Sequence, residues 1–151
     1  MERRAVLLLL STLMLPALAV AAERATAGEA QELVKRAIEH FRKNGRAGLK
    51  ELAREEGAFT DRELYVTVYE LDGTCVAHIN PRLMGMNTRE IRDMDGKYYI
   101  RERLDAARAE ASGWQEYKSF NRVTRKVEAK RLYWERHQDL VFGAGAYRRV
   151  L

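Results

Sequence analysis

Apolar residues along this chain recur at two different periods, and the switches between them mark out its elements. From Ala27 to Asn44 the positions Ala30, Leu33, Val34, Ala37, Ile38 and Phe41 are three or four apart, which puts them on one face of a helix. Thr26-Ala27-Gly28-Glu29 just before them has the form of a capping box. A second, shorter helix is expected over 47–56, with Leu49, Leu52 and Ala53 inward and Gly57 at its end. The β-branched and aromatic run Tyr65 to Leu71 and the run Thr74 to Ile79 then read as two strands. Between them Asp72-Gly73 predicts a hairpin with a type I′ turn, in which both central residues take positive φ.

Asn80-Pro81 closes the hairpin, and a loop with Gly85 and Asn87 and a turn at Asp95-Gly96 follow. Ile100, Leu104, Ala107 and Ala111 predict a helix over 98–111, stopped by Ser112-Gly113. Strands are expected over 114–120, 127–135 and 140–147, separated by polar turns at 121–126 and 137–139. That order gives an α+β fold built on one five-stranded antiparallel sheet. Helix 27–44 would pack on one face of it, and the loop and helix over 85–111 would cover the other.

The first stretch does not belong to this pattern. Glu2-Arg3-Arg4 is followed by an uncharged apolar run, Ala5 to Val20, ending in small residues, which reads as a signal peptide over 1–22 with cleavage after Ala19, Ala21 or Ala22. The run is shorter than the ~20 residues a membrane span needs. A single domain over 23–151, exported to the periplasm, is the resulting expectation. It holds 25 basic and 21 acidic side chains, a net charge of +4, interleaved as in Glu51-Leu52-Ala53-Arg54-Glu55-Glu56 rather than gathered in a run. Nucleic acid is therefore not an expected partner, whereas an anionic small molecule suits the balance.

Cys75 is the sole cysteine, so no internal disulfide can form, and no Cys-x-x-Cys-His segment exists to attach haem. Several short motifs reduce to ordinary structure. Leu71-Asp72-Gly73-Thr74 resembles the end of the haloacid-dehalogenase signature, but Glu70 stands where the nucleophilic aspartate belongs. Asp93-Met94-Asp95-Gly96 echoes a calcium loop without the closing bidentate acid, and Gly143-Ala144-Gly145 lacks a third glycine and a following helix. Both are better read as a turn and a closely packed strand. His40, His78 and His137 have no ligand spacing, so neither a metal nor a cofactor is expected. His40 and His137 are expected in solvent, while His78, at a strand end, is the histidine placed to face a pocket.

No nucleophile, base and orienting group occur together, so the chain is not expected to be an enzyme. Cys75 and His78 are three residues apart on one strand, where alternation would send them to opposite faces. What remains is a collection of polar aromatics and cations near the sheet: Tyr65, Tyr69, Tyr98, Tyr99, Tyr117, Tyr133, Trp114, Trp134, Arg101 and Lys130. Tyrosine hydroxyls with a buried ammonium or guanidinium can clasp a small carboxylate, and aromatic walls strengthen those bonds by excluding water.

The order and spacing of Tyr65-Val-Thr-Val-Tyr-Glu-Leu-Asp-Gly-Thr74, Ala77-His-Ile-Asn-Pro-Arg-Leu-Met-Gly85, Asp93-Met-Asp-Gly-Lys-Tyr-Tyr-Ile100, Gly113-Trp-Gln-Glu-Tyr117, Lys130-Arg-Leu-Tyr133 and Gly143-Ala-Gly-Ala-Tyr147 resembles the single Cache domains of the second subtype. These are sensor domains found outside the membrane in bacterial chemoreceptors and sensor kinases. The resemblance covers most of residues 33–148 and implies a PAS-like sheet with a long N-terminal helix. It also implies a pocket for a small organic anion, a short carboxylate above all. The residues expected to line it are His78, Tyr99, Arg101, Tyr117, Lys130 and Tyr133, with Lys130 and Arg101 supplying charge. Two departures bear on it: Ala129 stands where the family often has proline, and Ser119-Phe120 where it often has tryptophan-proline.

Strict alternation places Lys130 and Tyr133 on opposite faces, so both reach one pocket only across a bulge. Receptors of the family continue into a second membrane span and an output module, whereas this sequence runs to Leu151. A freestanding domain is therefore expected, binding its ligand alone or, as the alternative, docking without ligand on a membrane-bound sensor, transporter or redox partner.

Overall fold

The computed structural model describes residues 23–148, so the signal peptide expected over 1–22 lies outside the described residues. Helix α1 runs Ala27–Asn44 with the six expected apolar residues buried. Thr26 Oγ1 accepts the Glu29 backbone N–H at 3.2 Å, and Glu29 Oε2 accepts that of Thr26 at 2.7 Å, which completes the capping box. Gly45, at φ +60, ends the helix in a conformation that other residues resist. A 3-10 turn over Gly45–Gly48 leads into a single helical turn, α2, Leu49–Leu52. The expected helix over 47–56 is thus cut short. Beyond Ala53 the chain offers only Arg54, Glu55 and Glu56, all exposed, and no apolar residue to hold another turn against the core.

Two short strands, β1 (Thr60–Asp61) and β2 (Leu64–Tyr65), form a small hairpin whose turn holds Arg62 at φ 55. This hairpin lies below the length that alternation in a sequence can mark. The main sheet consists of β3 (Thr67–Glu70), β4 (Cys75–Ala77), β5 (Ser112–Asn121), β6 (Lys126–His137) and β7 (Leu140–Tyr147). Its spatial order is β4-β3-β7-β6-β5, and every pairing is antiparallel. Helix α1 lies across β6 and β7, burying Phe142, Ala144 and Ala146 on that face together with Val66 and Val68. The other face carries α3 (Tyr99–Ala106), whose Ile100 and Leu104 pack with Tyr69, Cys75, Leu132, Trp134 and Val141. The α+β arrangement and the covering of both faces are as the sequence implies. Helix α3 ends at Ala106 rather than Ala111, because the residues from Arg108 to Ala111 are all exposed and give it nothing to pack on.

The β3–β4 connection departs from a type I′ turn. Only Gly73 takes positive φ, at 105, while the Asp72 carboxylate accepts the Thr74 N–H at 2.8 Å and stabilises a longer loop. Glycine is required there twice over, for the positive φ and for the space that a Cβ would fill. Its carbonyl accepts both the Thr88 N–H at 2.9 Å and the Thr88 hydroxyl at 2.8 Å, and a Cβ at this position would lie 2.4 Å from Arg89 Cγ and 2.8 Å from Asn87 Oδ1. The loop that holds Thr88, which crosses from β4 to α3 over 78–98, shields both sheet edges. Cys75 on β4 exchanges backbone bonds with Gly85 and Met86, and Asp93 Oδ2 accepts the Lys118 N–H of β5 at 3.0 Å. Gly73→Ala should therefore cost about 2 kcal/mol or more of folding stability, measured by urea denaturation, and an unchanged midpoint would show that the loop is not held as described.

Candidate functional site

A cavity of about 410 Å3 opens between the α3 face of the sheet and the crossing loop. Its buried base is built by alternation: Tyr65, Thr67 and Tyr69 come from β2 and β3, and Tyr117 from β5. His78, Ile79, Asn80 and Leu83 enter from the segment after β4, Arg92, Asp93 and Met94 from the crossing loop, and Tyr99 from the start of α3. The Tyr99 and Tyr117 rings stack with centroids 4.2 Å apart and planes 8° from parallel.

His78 reaches the cavity through an irregularity that alternation does not foresee. Val68 pairs with Ala77 but Tyr69 pairs with Cys75, so β4 holds one extra residue at Val76. The bulge restores Cys75 and His78 to the same side of the sheet, contrary to the expectation of opposite faces. The thiol is buried and its pKa is pushed up to about 11 by desolvation, so it is an inert core group. His78 Nδ1 accepts the Asn80 N–H at 2.8 Å, which leaves the ring proton on Nε2. Its ring meets Tyr65 edge-on at 5.4 Å. Burial, reinforced by the fields of Lys130 and Arg103, pushes its pKa down to about 4, so at neutral pH it is a neutral donor.

Lys130 is 1% exposed, and its Nζ has no hydrogen-bond partner and no carboxylate within ion-pair distance among the described residues. It rests 4.1 Å from the centroid of the Tyr65 ring and 5.3 Å from that of Tyr147. Lys130 adds no surface to the cavity wall itself, but Tyr65 and Tyr117, the cross-strand partner of Lys130, both do. Gly145 makes room for its stem, since a Cβ there would lie 2.7 Å from Lys130 Cε and 2.9 Å from the Arg131 carbonyl oxygen. Burial lowers the Lys130 pKa, and nearby Arg103 adds to the effect while Tyr117 and Glu63 oppose it.

Arg103 is the second buried cation, 2% exposed. It donates from Nε to Gln115 Oε1 at 3.1 Å and leaves Nη2 without a partner. Three tyrosine rings surround it, Tyr117 at 5.6 Å, Tyr69 at 5.8 Å and Tyr99 at 6.0 Å. Burial raises the pKa of Tyr65, Tyr69 and Tyr99, so these hydroxyls remain donors at neutral pH. The one acid in the wall is spoken for. Burial alone would raise the pKa of Asp93, yet the backbone N–H groups of Lys118, Lys97 and Asp95 outweigh it and hold the carboxylate ionised.

Of the residues expected at the site, His78, Tyr99 and Tyr117 line the cavity and Lys130 lies against its base. Arg101 and Tyr133 are elsewhere. The Arg101 side chain pairs with Glu90 and sits 4.0 Å over the Tyr98 ring, outside the cavity wall. Tyr133 faces α1, its hydroxyl donating to Glu135 Oε2 at 2.9 Å and its ring 5.2 Å from Trp114. No bulge interrupts β6, so Lys130 and Tyr133 do fall on opposite faces. His40 and His137 are not free in solvent either: the first packs on Phe59 at 5.0 Å and the second on Phe41 at 5.9 Å. Arg103 is absent from the expected set although the sequence carries its signal, since with Ile100, Leu104 and Ala107 it shares one helical face. Arg122, whose Nη1 is buried and unpartnered in the cavity wall, comes from a turn and had no such signal.

The family model of single Cache domain 2 matches residues 6–147. The chain belongs to this family. Three solved structures share the fold. A methyl-accepting chemotaxis protein of Vibrio parahaemolyticus RIMD 2210633 superposes with a TM-score of 0.68 at 21% identity, over 80% of this chain and 86% of that one. A Cache chemosensory domain studied for carboxylic acid recognition gives 0.70 at 18% identity, over 81% and 92%. The periplasmic sensor domain of a chemotaxis protein gives 0.60 at 25% identity, over 81% and 90%. No curated protein sequence matches the chain. The cavity of this Cache domain is not plugged by its own large side chains, because Phe120 stands at its edge, 55% exposed, and Met84 and Met86 lie outside it.

A histidine whose folded pKa is depressed stabilises the fold above its unfolded value of 6.5, and that contribution is lost as pH falls toward 4. Over that window the Cache domain should lose up to about 3 kcal/mol on account of His78 alone. Urea denaturation of wild type and His78→Gln at pH 7 and pH 4.5 isolates this share. Equal pH dependence in the two proteins would contradict the buried neutral imidazole.

Proposed function

We propose that this Cache domain works outside the cytoplasm as a sensory or ligand-binding domain whose cavity takes a small organic anion, with carboxylates as the ligand class. One observation carries the reading: two cations, Lys130 and Arg103, are buried beside the cavity with no carboxylate to pair with them among the described residues. An uncompensated buried charge costs several kcal/mol, and an anion in the cavity supplies what the protein withholds. The neutral His78 Nε2–H and the tyrosine hydroxyls are donors suited to carboxylate oxygens, and Tyr99 and Tyr117 give the ligand an aromatic wall. Arg101 and Tyr133, engaged by Glu90 and Glu135, belong to the frame in this reading.

The apolar run over Ala5–Val20 supports export, and membership of a family of sensor domains supports output through a membrane-bound sensor or transporter. Membership of a family of sensor domains supports binding rather than turnover as the task of the site, and the Cys75 thiol, outside the cavity, is held neutral by burial.

A panel of acetate, propionate, lactate, pyruvate and C4 dicarboxylates tests the proposal by thermal shift. A member present at one hundred times its Kd stabilises the native state by about 2.7 kcal/mol, a rise of several degrees in Tm. Lys130→Met should abolish the response while leaving the ligand-free protein as stable as wild type or more so, because it removes an unpaired charge. No response to any member at millimolar concentration would overturn the reading.

A further inference from the structure

Charge and apolar surface are unevenly distributed along the cavity. The buried end holds His78, Tyr65 and Tyr117 with Lys130 against them, whereas the open end carries Met94, Phe120 and Val127, which are 75%, 55% and 43% exposed, beside the side chains of Arg92, Lys118 and Arg122. Ile79 and Leu83 continue the apolar wall inward. Large apolar side chains grouped around an opening, with no core of their own to pack on, mark a surface that something covers. Volume points the same way. At about 30 Å3 per water-sized group, 410 Å3 accommodates about a dozen non-hydrogen atoms, several times what a two-carbon acid brings.

From this gradient we infer that the favoured ligand is a monocarboxylate with an apolar body of roughly six to ten carbons, its head at the His78–Lys130 end and its tail running out past Leu83 to Met94, Phe120 and Val127. The inference rests on the anion reading above and adds the chemistry of the tail. A short acid at the buried end leaves the rim wet, while a longer chain removes it from water and gains up to about fourfold in affinity per methylene. The other charged groups of the wall do not compete for the head: Asp93 is held by three backbone N–H groups, Lys118 pairs with Asp95 and Arg92 lies on the Tyr98 ring. Arg122, with its unpartnered Nη1, is the one group that would favour a second anionic end instead.

Calorimetric titration of the purified protein with acetate, butyrate, hexanoate, octanoate and octanedioate separates these cases. The expected result is affinity rising at least tenfold from acetate to octanoate, with octanedioate weaker than octanoate. Phe120→Ser, at an exposed rim position, should weaken octanoate several-fold more than it weakens acetate. Acetate binding as tightly as octanoate would overturn the inference and leave the anion reading intact, and octanedioate binding more tightly would overturn it in favour of a dianion. Octanoate binding undiminished in Lys130→Met would instead overturn the anion reading, and binding of none of the five would overturn both.

Discussion

Both faces of this domain depend on the unbroken alternation of β6. It pairs along its length with β5 on one side and with β7 on the other, without a bulge in either register. Tyr133 is thereby committed to the α1 face, and Lys130, Leu132 and Trp134 to the face with α3 and the cavity. The neighbouring strand answers this bulk with absence: Gly145 stands opposite Leu132 and Gly143 opposite Trp134. Shifting β6 by one residue would carry an ammonium into the helix interface and a tyrosine into the cavity floor, so the register is fixed by chemistry on both sides.

Burying Lys130 and Arg103 without a pairing acid among the described residues runs against stability. Buried charges in folded proteins are normally paired, and Glu63, the acid whose charge acts on Lys130, is engaged by the Ala25 N–H at 2.9 Å. Aromatic faces provide part of the compensation, because tyrosine rings adjoin both cations. The remainder is the kind of local conflict that a fold tolerates where it does its work. Arg103 matters here for a further reason: a guanidinium cannot shed its proton, so the positive field at the cavity persists even where burial favours a neutral Lys130.

Much of this was legible in the sequence, and the limits have physical causes. Helix α1 carries a capping box and six apolar residues on one face, so its bounds could be read directly. The separation of Lys130 from Tyr133 likewise needs only period two. His78 could be placed at a pocket by its position at a strand end, but the bulge that carries it there could not be read, because it depends on a single inserted residue at Val76 whose partner strand lies elsewhere in the sequence. Arg101 and Arg103 show a subtler failure. Both are cations on α3 and composition does not separate them, but the helical face does, and Arg103 shares that face with Ile100 and Leu104. The end of α2 was overestimated because good helix formers in Arg54-Glu55-Glu56 have no surface to pack against.

The position of β7 has a consequence for how the domain comes to be folded. Hairpin β3–β4 and hairpin β5–β6 each close locally, but they do not touch one another in the sheet order, and β7 lies between them. Its pairing of Gly143 with Thr67 spans 76 residues. During synthesis the two halves therefore wait, unconnected, until the last strand has emerged, and only then can a single cooperative core form. The five-stranded sheet of such a chain can close only once β7 has been made.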